Sequence, residues 1–420
     1  TWDDHDRSGR YTCRDFGKNY LTSVDENGII FTNGDNDTFP LWYAQETEGY
    51  RTDVRVCNLS YLQTDWYVNQ MKSQAYESDP LPISMEESQY GNKKREYAYI
   101  LDRVDYPVSV KMAMDYFLSD DERTKTIPGY GKINHLPTGE LFIDIDKEKI
   151  LKSGIVPKGY EDKIVDRIDL SFKDKNTLIL NDLAIIDLLS TNAETGWKRP
   201  VYFATTVDPS FFTETDKYFM RTGMAYEVVP VKLENTPGRY QVNTDKMYDN
   251  VMNKFVWGGI DVNPDIYLDE TIRRMCYSYR IMFIDLIDQL IQEGKTDKAL
   301  KALDYCMEKI PGDVVPHNYI SLQLAMDYYF LKQNEKGKAL LEKIADSAIE
   351  YVTWINSLDN NKKRSVQRDY YYNERALAEQ VIPMFYRFGD EESGKKYLEK
   401  AALAGVDINR YFKIDTSKTN

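Results

Sequence analysis

Residues 28–60, GIIFTNGDNDTFPLWYAQETEGYRTDVRVCNLS, constrain the fold more than any other stretch. Residues 28–33 form an apolar run of β type that Asn33-Gly34 stops. A helical pattern follows the polar loop Asp35-Asn36-Asp37. Phe39, Trp42 and Tyr43 stand at i, i+3 and i+4, and Gly49 ends the helix. Asp37 is expected to cap this helix. Pro40 is expected in its first turn, where a missing N–H costs little. Residues 54–59 are a second β-type run. Two strands joined by a helix are expected to run parallel, with a right-handed crossover. That geometry brings residues 33–37 and 58–60 to the carboxyl edge of a sheet, where open α/β sheets bind ligands.

With 420 residues the chain exceeds one typical domain and can bury large cores. A net charge of -14 argues against nucleic-acid or anionic-membrane partners, since both require a basic surface. The most apolar helical run, residues 281–291, is broken by Asp285 and Asp288, well short of the roughly 18 residues of a membrane span. No signal peptide is visible, and the chain opens at Thr1, as expected of an excised or processed product. Cys13, Cys57, Cys276 and Cys306 show no metal spacing and are expected to be mostly buried thiols, although a Cys13–Cys57 disulfide is an alternative.

Around the central unit the alternation of a layered α/β domain continues. Cys13, Phe16, Gly17, Tyr20 and Leu21 space a helix before it, and Thr64 opens another after it. Residues 78–95, with Pro80 and Pro82, read as an exposed insertion tipped by Asn92-Lys93-Lys94-Arg95. A helix is expected over 109–118, strands over 139–146 and 168–172, and a helix over 181–190. The apolar run 200–206 is expected to join the first two strands, which would bring Thr205, Thr206 and Asp208 to the same edge. A further strand over 225–231 is expected at the rim. The α/β domain, Rossmann-like with a mostly parallel sheet, is expected over 1–265.

Residues 266–412 read as helices only. Gly294-x4-Ala299, Asn334-x4-Ala339 and Gly389-x4-Gly394 each open a second helix behind a longer apolar one, with a period of about 40 residues. These pairs suggest a tetratricopeptide-like repeat domain, somewhat longer than the usual repeat of about 34 residues. A small residue at the fifth position would let paired helices approach closely. Residues 413–420 are expected to fray.

Candidate site residues cluster in two places. Asp35, Asn36 and Asp37, with Asn58, lie at the expected sheet edge. The Asp-x-Asp spacing suits a divalent cation, but a capped turn is the preferred account of it. Asp4, His5, Arg7 and Arg10 form a polar cluster near the start. It could add ligands, hold an anionic group or tie down a linker through salt bridges. No catalytic residue stands out: there is no phosphate loop, GxSxG elbow or Cys–His pairing. The 33 tyrosines and six tryptophans could stack on sugars, though most read as core packing.

Asp3-Asp4-His5-Asp6-Arg7-Ser8-Gly9-Arg10, Gly34-Asp35-Asn36-Asp37-Thr38-Phe39-Pro40-Leu41-Trp42-Tyr43-Ala44-Gln45-Glu46 and Arg51-Thr52-Asp53-Val54-Arg55 together resemble one family of large multi-pass membrane proteins, long filed as a domain of unknown function. Its members are similar to membrane-embedded protein O-mannosyltransferases that use lipid-linked sugars. The resemblance covers residues 1 to about 265. It implies a soluble, extracytoplasmic (periplasmic) portion of a glycosyltransferase whose membrane half precedes this chain. The implied partners are that membrane half and an acceptor protein or glycan, with no nucleic acid. No catalytic role carries over, because the expected acidic residue belongs to the membrane half. The rival expectation is a free-standing enzyme with a divalent cation at Asp35 and Asp37; the first reading expects no cofactor.

Overall fold

The computed structural model describes residues 7–129, 131–366 and 368–406. The expected tail at 413–420 lies outside them, as do Asp4 and His5. A mixed-sheet region is followed by helices alone, from Glu270–Gln292 to Glu391–Leu403. The chain divides into two compact units: Tyr11–Gly258, and the short N-terminal stretch with residues 259 onward.

The first unit is built on six strands: Ile29–Thr32 (β1), Arg55–Asn58 (β2), Val201–Ala204 (β3), Phe219–Arg221 (β4), Ala225–Val228 (β5) and Gln241–Val242 (β6). Their order across the sheet is β6-β4-β5-β3-β1-β2. β1 pairs parallel with both neighbours, Phe31 facing Phe203 and Ile30 facing Val56. The expected parallel trio is therefore present. All residues of these three strands are buried, as both-faced burial in a parallel core requires. The other half departs from the expected mostly parallel sheet, because β5 runs antiparallel to both β3 and β4. β5 is also interior, not at the rim. β4 and β6, three and two residues long, have too little alternation to be read from sequence.

Thr12–Thr22 (α1) and Asp35–Glu48 (α2) pack against each other. Gly17 is the contact point: a Cβ there would lie 2.3 Å from the Pro40 carbonyl oxygen. Asp65–Met71 (α3) follows β2, and Leu180–Glu194 (α4) is buried on nearly every side, because its apolar residues are spread around the helix and leave no single polar face. Residues 78–95 are not the exposed insertion expected. Leu81, Ile83, Met85 and Tyr90 are buried, and Asp187 of α4 accepts hydrogen bonds from the Ser84 backbone N–H and hydroxyl. Arg95 is buried too, donating to the carbonyls of Gln89, Phe117 and Ser119. Asn92, Lys93 and Lys94 are exposed as expected. All four cysteines are free, Cys13 exposed and the others buried.

The second unit contains Glu270–Gln292 (α5), Thr296–Lys309 (α6), Tyr319–Phe330 (α7), Asn334–Ser357 (α8), Arg368–Arg387 (α9) and Glu391–Leu403 (α10). The pairs α5–α6, α7–α8 and α9–α10 share one joint. Gly294, Lys332 and Gly389 have φ of 74°, 60° and 81°. Each donates to the carbonyl three residues back, and the next residue donates to the carbonyl five back, closing the first helix of each pair with a Schellman motif.

Five residues beyond each joint stand Ala299, Gly337 and Gly394, all buried. Ala339 is exposed, so the expected register of the second pair shifts by two residues. The cause is Lys332, which occupies the left-handed position that glycine marks in the other two pairs. Side-chain sizes compensate across the contact. The residue eight before Ala299 is Ile291, whereas those eight before Gly337 and Gly394 are Tyr329 and Tyr386. A Cβ on either glycine would meet the tyrosine ring at 2.7 or 2.5 Å. Relieving the left-handed strain with Lys332→Gly should raise stability by about 0.5–1 kcal/mol, read as a shift in urea midpoint. A lower midpoint would show that Lys332 is not strained at this joint.

Candidate functional site

The structure distributes the site residues that sequence singles out. Arg10 donates to Asp269 at 2.9 Å, and Arg7 lies 5.5 Å from the Tyr267 ring centroid; both residues belong to the helical unit. In the first unit, α2 begins at Asp35 with Gly34 as its N-cap, φ 92°, a backbone angle that suits glycine. Asp37 is therefore not the cap but the third helical residue. Pro40 then sits beyond the first turn, inside the helix.

Asp35 and Asn36 are exposed; Asp37 and Asn58 are buried. Asp37 Oδ2 accepts from the Asn33 N–H at 3.0 Å and from the Thr206 hydroxyl at 2.9 Å. Oδ1 has no hydrogen-bond partner among the described residues. Burial pushes this carboxyl up to about 6, and the Asn33 and Thr206 bonds pull the other way. Thr206 and Thr205 both share hydrogen bonds with the Tyr20 hydroxyl, at 3.2 Å each. The expected meeting of β1 and β3 at their carboxyl ends is thus a hydrogen-bonded polar cluster in which Asp37 and Tyr20 are buried and Thr206 is exposed. Asn58 serves a second one. Its amide donates to the Thr38 hydroxyl at 2.9 Å, and its Oδ1 accepts from the N–H groups of Ser60 and Tyr61. Among the described residues no three His, Cys, Asp or Glu side chains converge to hold a metal ion.

An open feature lies beside β2. A cleft of about 510 Å³ is bounded by α2, β2, α3 and the turn after it. Trp42 and Glu46 from α2, Tyr61 after β2, Trp66 and Gln70 from α3, and Tyr76 line it. Phe39, Trp42, Tyr61 and Trp66 form a continuous run of ring contacts, with centroids 5.7 to 6.1 Å apart. Tyr76 has φ 52° in the tight turn closed by Ala75 and Ser78, and its hydroxyl bonds to Glu46 across the cleft. A tyrosine held in the left-handed region stores strain, which accumulates at functional sites. On the floor, Arg55 donates to the carbonyls of Met71, Ser73 and Ser78 at 3.3, 2.8 and 3.1 Å.

Sequence reasoning saw these aromatics but did not assemble them. Trp42 and Trp66 come from different helices, and only the packing of α2 and α3 around β2 brings them together. A further group was missed altogether. Lys246 donates to Asp25, Tyr202 and Glu227 at 2.6, 2.8 and 2.9 Å, a network that ties β3 and β5 to the following helix.

No helix among the described residues is long and apolar enough to cross a membrane. No curated protein and no solved structure matches the chain. The family model described as TMEM260-associated domain 2 matches residues 13–246, more than half of the chain, and spans both the sheet-edge cluster and the aromatic cleft. The chain belongs to the TMEM260-associated domain 2 family.

Proposed function

We propose that this chain is the extracytoplasmic portion of a membrane-embedded glycosyltransferase of the protein O-mannosyltransferase type, and that it recognises the acceptor protein or glycan without performing chemistry alone. In this reading the first unit is a Rossmann-like domain modified by its antiparallel half, and the second is a tetratricopeptide-like array. The observation that carries recognition is the open aromatic cleft beside β2, since clefts of this kind with a few polar groups are where ligands bind. Recognition is preferred to a free-standing cation-dependent enzyme because Asp37 is buried in the sheet-edge cluster while Asp35 is exposed. A hydrated cation needs several oxygen ligands presented together.

The test is competition. The purified chain, added to the complete membrane polypeptide, should lower glycosyl transfer by raising the apparent KM for acceptor with little change in kcat. By itself it should transfer no lipid-linked sugar. Unaltered transfer in the presence of excess chain would overturn acceptor recognition, and turnover by the chain alone would restore the enzyme reading.

A further inference from the structure

The cleft beside β2 presents rings to solvent that the fold does not need as core. Trp66 is 55 % exposed, and Trp42 sits between Phe39 and Tyr61 with ring planes inclined by 26° and 23°. An exposed aromatic array rimmed by polar side chains marks a binding surface. The polar groups at this rim are suited to hydroxyls. Gln70 is exposed, and its side-chain amide has no hydrogen-bond partner among the described residues, leaving a donor and an acceptor. Glu46, which lines the cleft, accepts from the Tyr76 hydroxyl through Oε2.

Two other ligand classes fit poorly. A phosphate-bearing ligand needs a cation, but the Arg55 guanidinium is spent on backbone carbonyls, Glu46 stands at the rim, and the chain carries -14 overall. An extended peptide adding to the edge of β2 needs that strand's outward N–H groups. The Arg55 and Leu59 N–H groups donate to β1 and its flank, and the oppositely directed Asn58 N–H is taken by the Tyr67 hydroxyl at 3.0 Å.

We propose that this cleft binds a neutral pyranose, its C–H face stacked on Trp66 and its hydroxyls held by Gln70 and Glu46. The inference rests on the acceptor-recognition reading and makes a glycan the recognised part. It is tested by passing the 420-residue chain over an array of neutral hexose and N-acetylhexosamine oligosaccharides, beside an array of unglycosylated peptides. Retention on sugars is expected, falling at least tenfold for Trp66→Ala and for Gln70→Ala. Trp354→Ala, at an exposed tryptophan of the helical unit, should bind like wild type. Equal melting temperatures for the three variants would exclude loss by unfolding. No retention on any sugar, retention on peptides alone, or wild-type binding by Trp66→Ala would each overturn the proposal. Competition for acceptor without sugar retention would sink the glycan site and leave acceptor recognition standing. Sugar retention without competition would do the reverse.

Discussion

Gly17→Ala should destabilise the first unit by about 3 kcal/mol, although alanine in a helix is intrinsically better than glycine by about 1 kcal/mol. The reason is the crossing of α1 and α2. An alanine Cβ would stand 2.3 Å from the Pro40 carbonyl oxygen, 2.5 Å from its carbon and 3.0 Å from the Leu41 nitrogen. All three are backbone atoms, so no side-chain rotation relieves the clash; one helix must move. Pro40 explains why α2 accepts so close an approach. Without an N–H it leaves one intrahelical bond unmade, and the helix is already perturbed there. Because α2 also carries Trp42 and Glu46, the displacement should spread to the cleft. Urea unfolding and amide exchange over residues 12–48 would report both effects. An unchanged midpoint would mean that the helices do not meet at Gly17.

Asp327→Asn should stabilise the helical unit, and the gain should depend on pH. Asp327 lies buried on α7, where Oδ1 accepts from the Gln323 amide at 2.8 Å and Oδ2 has no partner among the described residues. Burial, with Asp288 of α5 adding repulsion, pushes its carboxyl up to about 7, against the pull of the Gln323 bond. The buried Cys306 thiol is a further neighbour. In the unfolded chain the group titrates near 4. Between about pH 4 and 7 the native state therefore binds more protons than the unfolded state, so wild-type stability falls as pH rises through that window. Asparagine removes this penalty. The variant should match wild type near pH 4 and exceed it by about 3–4 kcal/mol at pH 8, a carboxyl displaced from about 4 to about 7 being worth about 4 kcal/mol. Melting temperatures measured from pH 4 to 8 would show the divergence. Parallel curves would mean that Asp327 ionises freely in the folded protein.

Several features were legible because they are local. Isoleucine and phenylalanine runs interrupted by Asn33-Gly34 and Gly49 define β1 and α2, since backbone propensity and turn chemistry act over a few residues. The same locality exposed the helix pairs wherever glycine marks the left-handed joint. It failed at Lys332, because nothing in a lysine announces a positive φ.

Long-range partners were not legible. Asp37 reads as a cap, yet its hydroxyl donor is Thr206, on the far side of an excursion of 169 residues. Phe219 and Met220 form a strand because they are buried beside β5 and not because three residues show a pattern. Residues 78–95 read as a loop from their prolines, while Asp187 decides that they are held inside. The sequence by itself determined the parallel trio and the helical character of the second half, through apolar periodicity and glycine punctuation. The tertiary structure alone decided the antiparallel half of the sheet, the burial of Asp37 and Asn58, and the convergence of Trp42, Tyr61 and Trp66 into one cleft. Each of these depends on contacts between segments far apart in the chain, where the free energy of burial and of satisfying buried polar groups outweighs any local preference.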